Sequence, residues 1–239
     1  MARSADGKSR SVMERIAVLS VAVSVAVMIL SLAVVYGFKQ AIRENMSGFA
    51  AHVVVMDVRG MHRSDAAPIR ATRSLDSLLA AEPEVLHYQR FARRGAVVRT
   101  ADAVEGVLLK GVGTEFDWSH FERWLTEGAL PRVGDSIRTK DLLLSESLAA
   151  RLHVGLEDRL ELLFVDADEL PYRDRFKVVG LYASGLEELD RTTLLTDIRN
   201  VQKLNGWEPT QISGYACRLY DSEIAEQSAD IINLRLMRE

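Results

Sequence analysis

IAVLSVAVSVAVMILSLAVVYGF, residues 16–38, is the stretch on which the reading of this chain turns. It carries no charge, and as an α-helix at 1.5 Å per residue it would be about 34 Å long, enough to cross a hydrocarbon core of roughly 30 Å. Fourteen of its positions are Ile, Leu, Val, Met or Phe. At roughly −0.3 to −0.6 kcal/mol each near the bilayer centre, they outweigh Ser20, Ser24 and Ser31 by several kcal/mol. A secretory leader has a shorter apolar region, about 7–15 residues, that ends in small residues at a cleavage site. Here the run closes Val34-Val35-Tyr36-Gly37-Phe38-Lys39, without an Ala-x-Ala pattern. The segment is therefore expected to stay in the mature protein as a transmembrane helix.

Working outward, Arg3, Lys8, Arg10 and Arg15 precede the helix, whereas Lys39 and Arg43 follow it closely. This excess of basic residues predicts a cytoplasmic N-terminus over residues 1–15 and everything after Phe38 on the other side. Ala17, Ser20, Ser24 and Ser31 recur at intervals of three, four and seven and so share one helical face. Small residues let helices approach closely in lipid, which makes this face a candidate packing seam for partner helices. The plainer alternative is that each serine bonds the carbonyl four residues back. Beyond the span, Phe38, Ile42 and Met46 repeat every four residues, which predicts an amphipathic stalk over residues 39–48 stopped at Gly48.

The whole chain has 239 residues, Lys+Arg 30 against Asp+Glu 34, a formal charge of −4 and one Cys. Nucleic-acid binding wants a basic face, and this balance gives none. One cysteine excludes an intrachain disulfide and any zinc site built on cysteine pairs. The mean hydropathy near zero hides the greasy segment described above.

Residues 49–239 read as mixed α and β. Strands are expected over residues 51–58, 85–92, 95–100 and 104–112, with Ala101-Asp102-Ala103 as a hairpin turn. A short helix over residues 74–82 is stopped by Pro83. Trp118, Phe121, Trp124 and Leu125 lie on one helical face, ended by Gly128 and Pro131. Leu142-Leu143-Leu144 leads into a helix capped by Ser145, with Gly155 past its end. Residues 160–165 and 176–181 form a second hairpin. Residues 193–195 lead into a helix capped by Asp197, and Gly206 marks its end. A strand over residues 212–220 and a helix from about Ser222 follow. Strands mixed with short helices fit an α+β domain in one or two lobes.

The search for chemistry is mostly negative. His52, His62, His87, His120 and His153 show no spacing that pairs them with a carboxylate ligand, so structural histidines are expected and no metal. Cys217 sits mid-strand as a buried apolar thiol. Glu187, Glu188 and Asp190 read as a solvated acidic loop. Gly106 and Gly111 have the glycine spacing of a phosphate loop, but Val112 and Gly113 stand where Lys and Ser/Thr belong, so the chain should not bind ATP. Trp118, Phe121 and Trp124 read as core rather than as a ligand platform. Residues 166–175 (DADELPYRDR) make a connection longer than a tight turn. Leu170, Pro171 and Tyr172 near its tip are candidate apolar anchors for a partner, against the alternative of an ordinary loop.

Several of these stretches together resemble a known family. Residues 16–55 (IAVLSVAVSVAVMILSLAVVYGFKQAIRENMSGFAAHVVV) resemble the first membrane helix and stalk of the lipoprotein-releasing ABC transporter permeases, the LolC/LolE type, within the wider MacB- and FtsX-like permease family. LLLSESLAARLHVGLEDRLELLF resembles their periplasmic core, and RFKVVGLYASGLEELDRTTLLTDIRNVQKL with ISGYACRLYD resembles the stretches that follow it. The resemblance covers nearly all of the chain and is specific in order and spacing. It implies one transmembrane helix with a stalk ahead of an α+β periplasmic core domain, and later membrane helices that this sequence lacks.

The resemblance also implies localisation in the bacterial inner membrane, with the main domain periplasmic. The implied partners are a separate cytoplasmic ABC ATPase subunit, a second permease copy or paralogue, membrane lipid, a lipoprotein substrate and a periplasmic lipoprotein carrier. No cofactor is implied, and no catalytic residue in this chain. In LolC-like members a hairpin at the position of residues 166–175 hooks the carrier; the segment here is shorter, and its residues do not match clearly. Three alternatives stay open at this point: a MacB-like exporter permease of another substrate, a single-pass anchored sensor or binding module, and a secreted protein whose leader is residues 16–38.

Overall fold

A computed structural model describes residues 6–49, 51–60, 67–101, 103–134, 136–165 and 171–237, and side chains of the first helix over residues 14–38. The chain divides into two compact units, residues 1–44 and 45–239. The first holds most of a 44-residue helix, α1 (Asp6–Phe49). Nothing along Glu14–Phe38 is buried, and its most apolar window has a mean hydropathy of 2.8. The helix continues through the expected stalk to Phe49; the side chains of Ile42 and Met46 lie outside the described residues.

The second unit opens with β1 (Val53–Met56), β2 (Ile69–Arg70) and α2 (Arg73–Ala81). Thr72 caps α2 by accepting the amide of Leu75 at 3.2 Å, and Pro83 follows its end, where a helix cannot continue. Then come β3 (Val85–Arg99), β4 (Val104–Val112), α3 (Ser119–Trp124), β5 (Leu125–Gly128) and β6 (Asp141–Ser145). After these run α4 (Glu146–Leu152), β7 (Arg159–Phe164), β8 (Tyr172–Tyr182), α5 (Glu187–Thr192) and β9 (Thr193–Asp197). The unit closes with α6 (Ile198–Leu204), β10 (Gln211–Ile212), β11 (Gly214–Leu219) and α7 (Ala225–Leu236).

Strand pairings close a ring. β3 pairs with β4, β4 with β9, β9 with β6, β6 with β8, β8 with β7, and β7 returns to β3. Two contacts of this ring are parallel, β4 with β9 and β6 with β8; the others are antiparallel. Alternate residues of every ring strand meet in one apolar cluster, among them Ala96, Leu109, Leu142, Leu162, Phe176 and Leu194, with Leu148 and Leu152 of α4 and Val201 of α6 added. A barrel this small is filled by side chains, not open as a channel.

The first half of β3 leaves the ring to pair with β11, and β11 pairs with β1. One face of this three-stranded extension packs on α2 and α7 through Val53, Leu79, Tyr215, Cys217 and Ile232. A third cluster, Val112, Phe116, Phe121, Leu143, Tyr182 and Leu195, lies under α3 and α5.

Several expectations change at element scale. The two strands expected before Thr100 are one, because β3 serves the extension with residues 85–91 and the ring with residues 91–99. The aromatic helix stops at Trp124, and Leu125 opens β5 by pairing with Tyr182. The strand expected over residues 212–220 breaks at Ser213, whose hydroxyl accepts the amide of Arg93 at 2.8 Å. α4 ends at Leu152, with Gly155 past its end as expected, but the left-handed residue that closes it is His153, at φ 55°. The acidic loop is α5, and Asp190 within it is buried, accepting from Ser184 Oγ at 2.6 Å.

Candidate functional site

In α1 the hydroxyls of Ser20, Ser24 and Ser31 donate to the carbonyls of Ile16, Ser20 and Val27 at 2.8, 2.8 and 2.9 Å. These bonds satisfy the hydroxyls within the helix. What remains on that face are the small side chains Ala17, Ser20, Ser24 and Ser31, with exposed Val27 and Met28 between the last two. An apolar surface of this extent needs a cover other than water.

In the second unit the expected anchors fall on the hairpin of β7 and β8. Its last described rung pairs Phe164 with Tyr172, and their rings stack at 5.3 Å. The Arg94 guanidinium lies 5.5 and 5.4 Å from the two ring centroids. Arg94 donates to the carbonyl of Leu204 at 2.9 Å and to Asn205 Oδ1 at 2.8 Å. Tyr172 donates its hydroxyl to the same Leu204 carbonyl at 2.6 Å. The hairpin base is thereby fastened to the C-terminal end of α6, where carbonyls have no partner within the helix.

On the outer face, Arg173 and Arg175 both reach Glu161, at 3.0 and 3.2 Å; on the opposite face Asp174, across from Leu162, pairs with Lys140. A cleft of about 390 Å³ lies beside this base, lined by Tyr172, Arg173, Lys203, Leu204 and Gly206. Of the expected anchors, Tyr172 is half-buried and turned to α6, Pro171 is exposed, and Leu170 lies outside the described residues.

The two candidate groups belong to different units. The structure adds Arg94, which the sequence reading passed over. The signal was there: Arg94 occupies an inward position of β3 between Ala92 and Ala96, and a buried cation needs partners.

Other features resolve into packing. Gly106 and Gly111 lie within β4, not in a loop. A Cβ on Gly111 would fall 2.7 Å from the Ile198 Cα and 2.8 Å from Val201 Cγ2, so this glycine lets α6 lie close on the sheet. Phe121 meets Trp118, Trp124 and Tyr182 edge-on within the third cluster. His87 Nε2 bonds the Glu115 carbonyl at 2.9 Å, and His120 Nδ1 meets Arg123 at 2.8 Å; His62 lies outside the described residues. Among the described residues no three His, Cys, Asp or Glu side chains gather as a metal site would require. Burial pushes the Cys217 thiol up to about 12.

Comparisons with known proteins extend this description. A family model described as the MacB-like periplasmic core domain matches residues 16–233. Two proteins named lipoprotein-releasing system transmembrane protein LolC, both from Xylella fastidiosa, match over 228 residues, covering 92% of this chain and 52% of each relative. The sequence from strain Temecula1 is 24% identical and that from strain 9a5c is 25% identical. The chain thus spans about half the length of these curated relatives.

Among solved structures, the extracellular domain of the noncanonic ABC-type transporter YknZ from Gram-positive bacteria aligns with a TM-score of 0.45 at 10% identity, over 76% of this chain and 91% of that one. The periplasmic region of MacB from Actinobacillus actinomycetemcomitans aligns with a TM-score of 0.44 at 16% identity, over 70% and 75%.

Proposed function

The chain belongs to the MacB-like periplasmic core domain family, and from that premise we propose that it is the N-terminal portion of a transmembrane permease subunit of an ABC transporter. The proposed transporter releases lipoproteins from the inner membrane for transfer to a periplasmic carrier. The observation that carries the permease reading is the exposed, charge-free helix of residues 16–38 joined in one chain to a domain of this family. The choice of lipoprotein as cargo draws on the two relatives named for lipoprotein release.

The proposed work is mechanical. Each buried CH₂ of a lipid anchor holds by about 0.8 kcal/mol, so a multiply acylated protein leaves a bilayer only with an input of energy. ATP hydrolysis is assigned to a separate cytoplasmic subunit. The glycines that resemble a phosphate loop are strand residues here, which supports that division. In this reading residues 1–15 are cytoplasmic, residues 16–38 cross the inner membrane, and residues 39–48 are the stalk that relays movement to a periplasmic core at residues 49–239. The seam of Ala17, Ser20, Ser24 and Ser31 packs against helices of a second permease copy or paralogue, or faces lipid. The carrier docks on the tip of the β7–β8 hairpin.

The tip can be tested without disturbing its base. Leu170→Asp combined with Pro171→Asp leaves the Tyr172 bond to Leu204 in place. In full-length chain held in membranes with its ATPase, this pair of changes should lower photo-crosslinking to the lipoprotein carrier about tenfold or more, the effect of losing an apolar anchor, with the domain's melting temperature unchanged. Equal crosslinking would remove the docking role from the hairpin. Failure of any ABC ATPase to co-purify with the membrane-held chain would contradict the permease reading itself.

A further inference from the structure

Three residues after α1 ends, a side chain takes the place of a rung in the sheet. The ladder between β1 and β11 begins at Val53 opposite Cys217. One step outward, His52 supplies its ring instead of its backbone: Nδ1 accepts the amide N–H of Leu219 at 3.0 Å. Leu219 is buried at 2% exposure, so water does not readily replace that acceptor. The arrangement dictates the protonation state of the ring. Nδ1 must keep its lone pair, the single proton sits on Nε2, and the imidazole is neutral. An imidazolium carries N–H on both nitrogens and has nothing with which to accept the amide.

The charged groups around the ring are Arg218 on β11 and Asp221 just beyond it. Arg218 is already paired with Asp117 at 2.7 Å, and its Nε is buried without a hydrogen bond. Arg218 repels a second cation beside it, while Asp221, whose Oδ1 accepts the amide of Glu223, pulls the other way. Burial first, and then Arg218, hold the His52 ring below its ordinary value of 6.5.

We propose that His52 is a protonation-operated peg: neutral, it fastens the start of β1 to the end of β11; protonated, it lets go and loosens the point where the chain passes from α1 into the domain. This goes beyond the permease reading and stands without it. The sign is fixed by the direction of the shift. A ring that charges less readily in the folded state than in the unfolded chain supports the fold fully above about pH 6.5, and that support is lost as pH falls through the folded value.

Site-resolved amide hydrogen exchange on the full chain in lipid nanodiscs reads the peg directly. Between about pH 7.5 and pH 5, protection at Leu219, corrected for intrinsic exchange, should fall about tenfold relative to Cys217, the equivalent of one lost hydrogen bond. His52→Asn offers a carboxamide oxygen where Nδ1 was and cannot titrate, so its Leu219 protection should change less than about twofold over the same interval. His52→Leu should lack that protection at both values. Constant protection in the unaltered chain would overturn the proposal, and so would an Asn variant that follows it down or a Leu variant as protected as the unaltered chain at pH 7.5. Should the Leu variant not fold, the unaltered chain and the Asn variant still decide.

Discussion

Gly111 shows how a residue's surroundings override its motif. Its spacing from Gly106 suggests a phosphate cradle, yet what it provides is room for α6 to lie on β4. An added Cβ would meet backbone at Ile198 Cα, which cannot swing away as a side chain end can. Gly111→Ala should therefore destabilise the domain by about 1–3 kcal/mol through overpacking, read as a lower midpoint in urea at unchanged slope. A neutral effect would mean that α6 shifts freely. The absence of a lysine after Gly111 argues against a phosphate loop from the sequence alone, but the close approach of a helix more than 80 residues downstream was not visible there. Asp190 failed for a similar reason. Three acidic residues within four positions read as solvated, whereas one of them turns inward to hold Ser184, a contact that local charge density does not encode. Cys217 was legible because alternation alone placed it inside.

Elements were legible where periodicity and caps agree. Thr72, Ser145 and Asp197 each accept a hydrogen bond from an amide in the first turn of their helices, and all three of those helices follow from the sequence, the latter two with the cap named. Boundaries failed where one strand serves two neighbours, as β3 does, because period two continues unbroken through the change of partner. The hairpin of β7 and β8 was expected, but its fastening was not. Tyr172 reads as an apolar anchor beside Pro171, and its hydroxyl finds the end of α6, a carbonyl that only tertiary structure brings within reach.

For α1, a prediction separates insertion from assembly. Ser24 satisfies its own hydroxyl on Ser20, so Ser24→Leu removes no hydrogen bond between helices and adds bulk to the proposed seam. The variant should insert in membranes as the unaltered chain does but co-purify with partner permease helices several-fold less, about what is lost when one small-residue contact is overfilled. Undiminished co-purification would count against the seam.

At the scale of the molecule, two physical regimes share one chain. The described residues of 45–239 build three buried apolar clusters around a closed ring and its extension. Residues 14–38 bury none. The second fact was fully legible from the uncharged run, which needs no tertiary information. The ring was not, because its closure depends on β7 returning to β3, a pairing between residues 97–98 and 162–163 that no local pattern announces.

The central claim is that residues 16–38 anchor an outward-facing domain to the inner membrane. Alkaline carbonate extraction followed by protease treatment of spheroplasts tests it most directly on the full chain. The account predicts that the protein remains with the membrane fraction, and that external protease removes the domain after residue 49 while an N-terminal fragment of about 45 residues survives, shielded by the bilayer. Intact chain released by carbonate with its first forty residues attached, or a domain inaccessible from outside, would contradict it.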